Sequence, residues 1–192
     1  GGGNNGGDGW CAARLLRAAG YRAAVFTLTD KLSADCAAQR EKFEGIVYDR
    51  FPEERYDVVI DAIFGTGFRG APEGRFADAI ARINESGAKV VSADIPSGLN
   101  GDNGSSVSCV RADVTVTIGE LKTGLLLGNG ADVCGKIVTK DIGIQLNQYP
   151  FAMICGEGDF TKLFPPRKKN TNKGSFGKAV ILGGSRAYSG AP

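Results

Sequence analysis

The chain has 192 residues, 42% of them hydrophobic and 23% charged, with a formal net charge of +2. These values describe one core of ordinary size, or one domain and a piece of another, and exclude a disordered chain. The near-neutral charge excludes a whole-chain pull toward nucleic acid or a membrane surface, and no apolar run approaches the ~18 residues of a spanning helix. Histidine is absent, so acid–base chemistry falls to Asp, Glu, Lys or Tyr, and a zinc site is not expected. Cys11, Cys36, Cys109, Cys134 and Cys155 include no C-x-x-C pair. They read as reduced, buried residues, and with no secretory leader visible they point to the cytoplasm.

The chain opens on GGGNNGGDGW. Gly1, Gly3 and Gly6 fit G-x-G-x-x-G, so the stretch could be a dinucleotide fingerprint, another phosphate loop or a flexible tail. DGWCAARLLRAAG predicts a largely buried helix, with Asp8 as its N-cap, Gly20 as its stop, and Arg14 and Arg17 on one face. AAVFTL from Ala23 predicts a strand, ADCAAQREKFE a helix and GIVYD a short strand. DVVIDAIFG is a continuous apolar run broken by Asp61, the pattern of a strand buried on both faces. EGRFADAIARINESG carries Phe76, Ile80 and Ile83 at i, i+4 and i+7 and ends before Gly87, which predicts a helix. KVVSADI, DVTVTIG and GKIVTKDIG predict three further strands. Strand and helix in alternation give an α/β fold, a doubly wound, Rossmann-like, mostly parallel sheet with helices on both faces. The strand that should feed the Gly1 turn is not in the chain, which therefore reads as truncated at its amino end. PPRKKNTNKGSFG reads as a solvated basic connector. KAVILGGS then starts a fresh strand and glycine turn, the beginning of a second α/β domain. The divisions are a first domain at 1–149, a linker at 150–172 and the start of a second domain at 173–192.

Three glycine-rich loops follow strands or the absent strand: GNNGGDG at 3–9, GTGFRG at 65–70 and DIPSGLNGDNG at 94–104. In a doubly wound sheet such loops face one crevice at the carboxyl ends of the strands, where ligands bind. The first leads into a helix, whose free N–H groups and dipole favour an anion. Asp30 could pose as the ribose-binding acid of a dinucleotide fingerprint, or sit in a surface turn. Asp61 would be costly to bury unpaired. It either caps a backbone turn or shares a hard cation with other oxygens, for which Asn5 and Ser97 are available. One negative charge with neutral oxygens suits a monovalent ion better than calcium. Asp94 ends a strand at ADIPSG and is a natural acid–base candidate, or a plain turn former. Lys122 and Arg69 could lend positive charge near a phosphate, or lie on the surface.

The ordered motifs GNNGGDG, DAIFGTGFRG, ADIPSGLNGDNG, ADVTVTIGELKTGL and DIGI resemble the YjeF N-terminal family, the NAD(P)H-hydrate epimerases. The likeness covers roughly residues 1–144. The tail, PPRKKNTNKGSFGKAVILGGSRAYSGAP, resembles the opening of an ADP/ATP-dependent NAD(P)H-hydrate dehydratase domain, with a ribokinase-like fold. The resemblance implies a small-molecule substrate, hydrated NADH or NADPH (NADHX, NADPHX), and no nucleic acid or membrane partner. It implies potassium for the first half, ADP or ATP for the second, and a possible homo-oligomer. Position by position, Asn4, Asn5, Gly6, Gly7 and Asp8 match one substrate-binding loop. Gly65, Thr66, Gly67, Phe68, Arg69, Gly70 and Ala71 match another. Asn5, Asp61 and Ser97 match the potassium ligands, Asp94 the substrate-contacting aspartate chosen here for catalysis, and Ala191 a substrate contact of the dehydratase. Asn172-Lys173-Gly174 stands where that family commonly has His-Lys-Gly. Two other classes compete: a non-catalytic binding or dimerisation module on the same fold, and an NAD-dependent dehydrogenase using the glycine fingerprint.

Overall fold

The computed structural model describes residues 1–143 and, further on, 153–156, 158–159, 169–172, 174, 178 and 180. The chain divides into two units, Gly1–Gln148 and Tyr149–Pro192. All elements below belong to the first. The beginning of the second domain predicted at 173–192, with Ala191, falls almost entirely outside the described residues.

Helix α1 spans Asn4–Ala18, with Gly3 as its N-cap. This corrects the predicted start at Asp8: most of the GNNGGDG loop is the first turns of the helix, and Asp8 lies inside it. Glycine weakens a helix by about 1 kcal/mol per residue relative to alanine, which hides the start in the sequence. Contact explains the glycine at position 6, where a Cβ would lie 2.0 Å from the Gly1 carbonyl oxygen. The helix is also less buried than predicted. Asn5, Gly6, Gly7, Trp10 and Ala13 are covered, whereas Leu15 is exposed. Strand β1 (Ala24–Phe26), helix α2 (Ala34–Glu41) and strand β2 (Ile46–Tyr48) follow, with the Ser33 hydroxyl capping α2 by accepting from the Cys36 N–H. Trp10, Ala13, Cys36 and Phe43 form their common core, with Val25 packed against it.

Strand β3 (Val58–Asp61), helix α3 (Arg75–Glu85), and strands β4 (Lys89–Ala93), β5 (Val114–Ile118) and β6 (Lys136–Lys140) complete the unit, with a 3₁₀ turn at Thr123–Leu125 and a short helix α4 (Gly130–Val133) before β6. Every strand pair is parallel. The sheet is split into β1–β2 and β3–β4–β5–β6. Gly1 donates to the Ala62 carbonyl (3.0 Å) and the Gly2 carbonyl accepts from Ser33 N–H (2.7 Å), so the first two residues lie between the carboxyl ends of β3 and β1. Ala79, Ile80 and Ile83 of α3 pack with Val90 and Val59. Burying each isoleucine contributes roughly 1.5–3 kcal/mol. The alternation of β3 sends Val58 and Ile60 to the other face, where both are exposed. The continuous apolar run therefore does not mean a strand covered on both faces: among the described residues no helix closes over that side. Two cysteines also depart from expectation, since Cys11 is half-buried and Cys155 exposed, although all five are free. No helix among the described residues is long and apolar enough to cross a membrane.

Candidate functional site

Strands β3, β4 and β5 end at Asp61, Ala93 and Ile118, and their following loops meet at the carboxyl edge of the sheet. The register pairs Asp61 with Ser92 and Ser92 with Thr115, so three buried polar side chains sit abreast on neighbouring strands. Asp61 is fully buried. Its Oδ1 accepts from Ile63 N–H (3.2 Å) and the Ser97 hydroxyl (2.5 Å), and its Oδ2 from Ser97 N–H and the Ser92 hydroxyl (2.8 and 2.9 Å). Asp61 thus does cap its own turn, as one reading allowed, and it also ties β3 to β4 and to the turn after β4. Burial without a bonded positive side chain pushes its carboxyl above the usual range, and the four donors oppose that rise.

The Phe64 backbone joins this network to α1. Phe64 N–H donates to the Ser97 hydroxyl oxygen at 2.9 Å, and the Phe64 carbonyl accepts from Asn5 Nδ2 at 2.8 Å. Asn5 and Ser97 therefore meet on the backbone of one residue, Phe64, and Asp61 joins them through Ser97. The other half of the Asn5 amide is bare: Oδ1 is buried with no hydrogen-bond partner. A buried acceptor without a donor costs about 1–3 kcal/mol. An uncharged oxygen left over beside a buried carboxylate and a serine hydroxyl fits a hard cation of low charge, so the residues present suit an alkali ion.

Asp94 lies one step away. A Cβ built on Gly65 would sit 3.2 Å from Asn5 Cβ and 3.9 Å from Asp94 Oδ2. Among the described non-glycine residues Asp94 alone has positive φ, at 65°. Its neighbours close a three-residue turn around it, Ile95 N–H donating to the Ala93 carbonyl at 2.8 Å. Strain of this kind costs about 1–3 kcal/mol and collects at functional sites. Gly98 completes the turn with φ 96°, where a Cβ would meet the Ser108 carbonyl oxygen at 2.2 Å. Asp94 Oδ1 accepts from Lys122 Nζ (2.5 Å) and Ile118 N–H (3.2 Å). Across the crevice, burial first and then the charge of Asp94 raise the Asp8 carboxyl above its ordinary value.

The second loop is pinned by its own arginine. Arg69 donates to the Thr66 and Phe68 carbonyls and to Asp102 Oδ2 (2.8 Å), which joins loops 65–70 and 94–104. Phe68 stacks on Phe64 with centroids 4.2 Å apart. Asp30 is exposed and faces Arg40 at 3.5 Å, the surface-turn reading. Three contributors were not read from the sequence. Ser92 had a signal, a lone hydroxyl in the apolar run KVVSADI. The Phe64 N–H and carbonyl had none, because nearly every residue has both. The ion pair of Lys122 with Asp94 depends on a contact across 28 residues.

The family model described as YjeF-related protein N-terminus matches residues 1–124. The bifunctional NAD(P)H-hydrate repair enzymes Nnr of Thermofilum pendens and Archaeoglobus fulgidus are each 40% identical, over 99% and 100% of this chain and 39% and 40% of their own lengths. The Escherichia coli enzyme of that name is 34% identical over 98% of the chain and 39% of its own length. The chain thus spans about two fifths of the curated relatives it matches. The crystal structure of yeast YNL200c superposes with a TM-score of 0.62 at 23% identity, covering 77% of this chain and 65% of that one, which establishes the fold.

Proposed function

Because the chain belongs to the family of YjeF-related protein N-termini, we propose that it is the epimerase part of an NAD(P)H-hydrate repair enzyme. The reaction interconverts the R and S forms of NADHX or NADPHX at C6. The observation that carries this reading is the network in which Asn5 and Ser97 meet on the Phe64 backbone and Ser97 is bonded to buried Asp61, beside the strained Asp94.

C6 of the hydrated ring bears a hydroxyl and is bonded to the ring nitrogen. Asp94 donates a proton to that hydroxyl, the C6–O bond breaks, water departs, and the nitrogen lone pair forms an iminium-like cation. The carboxylate left on Asp94 stabilises this cation. Water adds to the opposite face and returns its proton to Asp94, so atoms and charge balance. The N–H groups of the first turn of α1, which have no partner within the helix, and the loop from Gly65 to Ala71 hold the pyrophosphate. Asn4, Asn5, Gly6, Gly7 and Asp8 form the other wall of the substrate site. Asn5, Asp61 and Ser97 hold potassium, which braces three loops rather than entering the chemistry.

We assign 1–149 to this activity, 150–172 to a linker, and 173–192, with Ala191, to the opening of a dehydratase that uses ADP or ATP. Five free cysteines fit a reducing compartment, the cytoplasm. The test is incubation of the protein with R-NADHX in potassium chloride, followed by chromatographic separation of the epimers. Conversion toward an R/S mixture is expected. A folded protein that leaves the R form unchanged rejects the reading.

A further inference from the structure

A lysine in GELKTG has three possible jobs: a phosphate contact, a solvated surface charge, or a structural cation. Counting donors separates them. An ammonium group carries three N–H bonds and no acceptor. Lys122 Nζ donates to Asp94 Oδ1 at 2.5 Å, to the Ile118 carbonyl at 2.6 Å and to Thr117 Oγ1 at 2.9 Å. All three donors are used within the protein, and none is left for a phosphate oxygen. Nor is this a surface lysine: the side chains of Lys122 and Asp94 are 20% and 14% exposed. Two of the three acceptors, Thr117 and Ile118, sit at the end of β5, so the ammonium is fixed to the sheet and not to a loop.

The consequence falls on Asp94. Its Oδ1 is held by Lys122 and by Ile118 N–H, both anchored at the end of β5. Its Oδ2 has no hydrogen-bond donor among the described residues and points toward Gly65, the glycine of the second loop. One carboxylate oxygen is thus tied down and the other is presented to the crevice. The backbone at Asp94 is itself fixed to β5, its N–H donating to the Val116 carbonyl at 2.8 Å, so the contacts at Oδ1 set the direction of the side chain from a firm base.

From this geometry we infer that Lys122 is a positioning residue: it clamps Asp94 through Oδ1 so that Oδ2 faces the reacting carbon, and balances the carboxylate when Asp94 has given up its proton. The inference rests on the epimerase reading for its chemistry and on the three ammonium contacts for its geometry. A carboxylate displaced by about 1 Å loses on the order of 10²-fold in rate, so the effect belongs in kcat and not in substrate binding.

Two variants and two readouts test it. In Lys122→Met the kcat for R-NADHX epimerisation is expected to fall about 100-fold, with KM within about threefold of the wild type. Lys122→Arg keeps the charge but offers a planar fork that cannot meet the same three acceptors, and its kcat is expected to fall about tenfold with KM again preserved. A rise in KM that equals or exceeds the fall in kcat, in either variant, assigns Lys122 to substrate binding and overturns the inference. Unchanged kinetics does the same. The second readout is a crystal structure of Lys122→Arg, or of Lys122→Met if it folds. The Asp94 carboxylate is expected to leave its position against Ile118 N–H, and an unmoved carboxylate overturns the clamp even if the wild-type protein turns over no NADHX. Lack of wild-type turnover rejects the epimerase reading alone.

Discussion

Asp94→Asn is expected to lower kcat by about three orders of magnitude, the scale of a lost general acid–base group, while KM stays within about threefold. Asparagine is the informative replacement because it keeps the size of the side chain and tolerates the left-handed region that Asp94 occupies at φ 65°. The turn, the bond from Ile95 N–H to the Ala93 carbonyl and the packing of Pro96 remain available. What is lost is a group that can give and take a proton and carry negative charge against an iminium-like cation. Asp94→Ala should likewise abolish epimerisation while nucleotide binding survives, at some added cost from alanine in a left-handed conformation. The measurement is steady-state conversion of R-NADHX, with binding of an unreactive nucleotide followed separately by calorimetry. Turnover near the wild-type level in Asp94→Asn would remove Asp94 from the chemistry and leave its strain unexplained.

Asp61→Ala is expected to be the most damaging change to the fold. It strips the acceptor from the Ser92 hydroxyl, the Ser97 hydroxyl and N–H, and Ile63 N–H, all at a fully buried position. Each buried donor left without an acceptor costs about 1–3 kcal/mol, so the loss takes a large part of the roughly 5–15 kcal/mol that holds a typical domain together. Asp61→Asn keeps the volume but turns a donor toward groups that are themselves donors, and should also destabilise. In potassium chloride the wild-type protein should unfold at higher urea than in choline chloride, because an ion bound only by the native state adds to its stability. Neither Asp61 variant should show that difference. A variant as stable as the wild type, with the same response to potassium, would contradict the role given to Asp61.

Asp61 and Asp94 were visible in the sequence for a physical reason. A lone carboxylate in VVIDAIF has to be compensated, and one at the tip of a strand before Pro96 faces the crevice of a parallel sheet. The strands and α3 were equally readable from apolar runs and the spacing of Phe76, Ile80 and Ile83. What was misread depended on contacts between distant segments. Glycines 6 and 7 looked like a loop because their helix propensity is poor, yet the close approach of the Gly1 carbonyl to Gly6 admits no side chain. The exposure of Val58 and Ile60 depends on what packs over β3, which their own apolar character does not disclose. The bare oxygen of Asn5 could be found only after its nitrogen was seen to be committed to Phe64.

The central claim is that Asn5, Asp61 and Ser97 hold one alkali cation that fastens three loops beside Asp94. Its most direct test is anomalous diffraction from crystals grown with rubidium in place of potassium. The account predicts a single strong peak within coordination distance of Asn5 Oδ1 and bordered by Asp61 and Ser97. A well-ordered site with Asn5 Oδ1 bonded only to water, and no anomalous peak there at high rubidium, would contradict it.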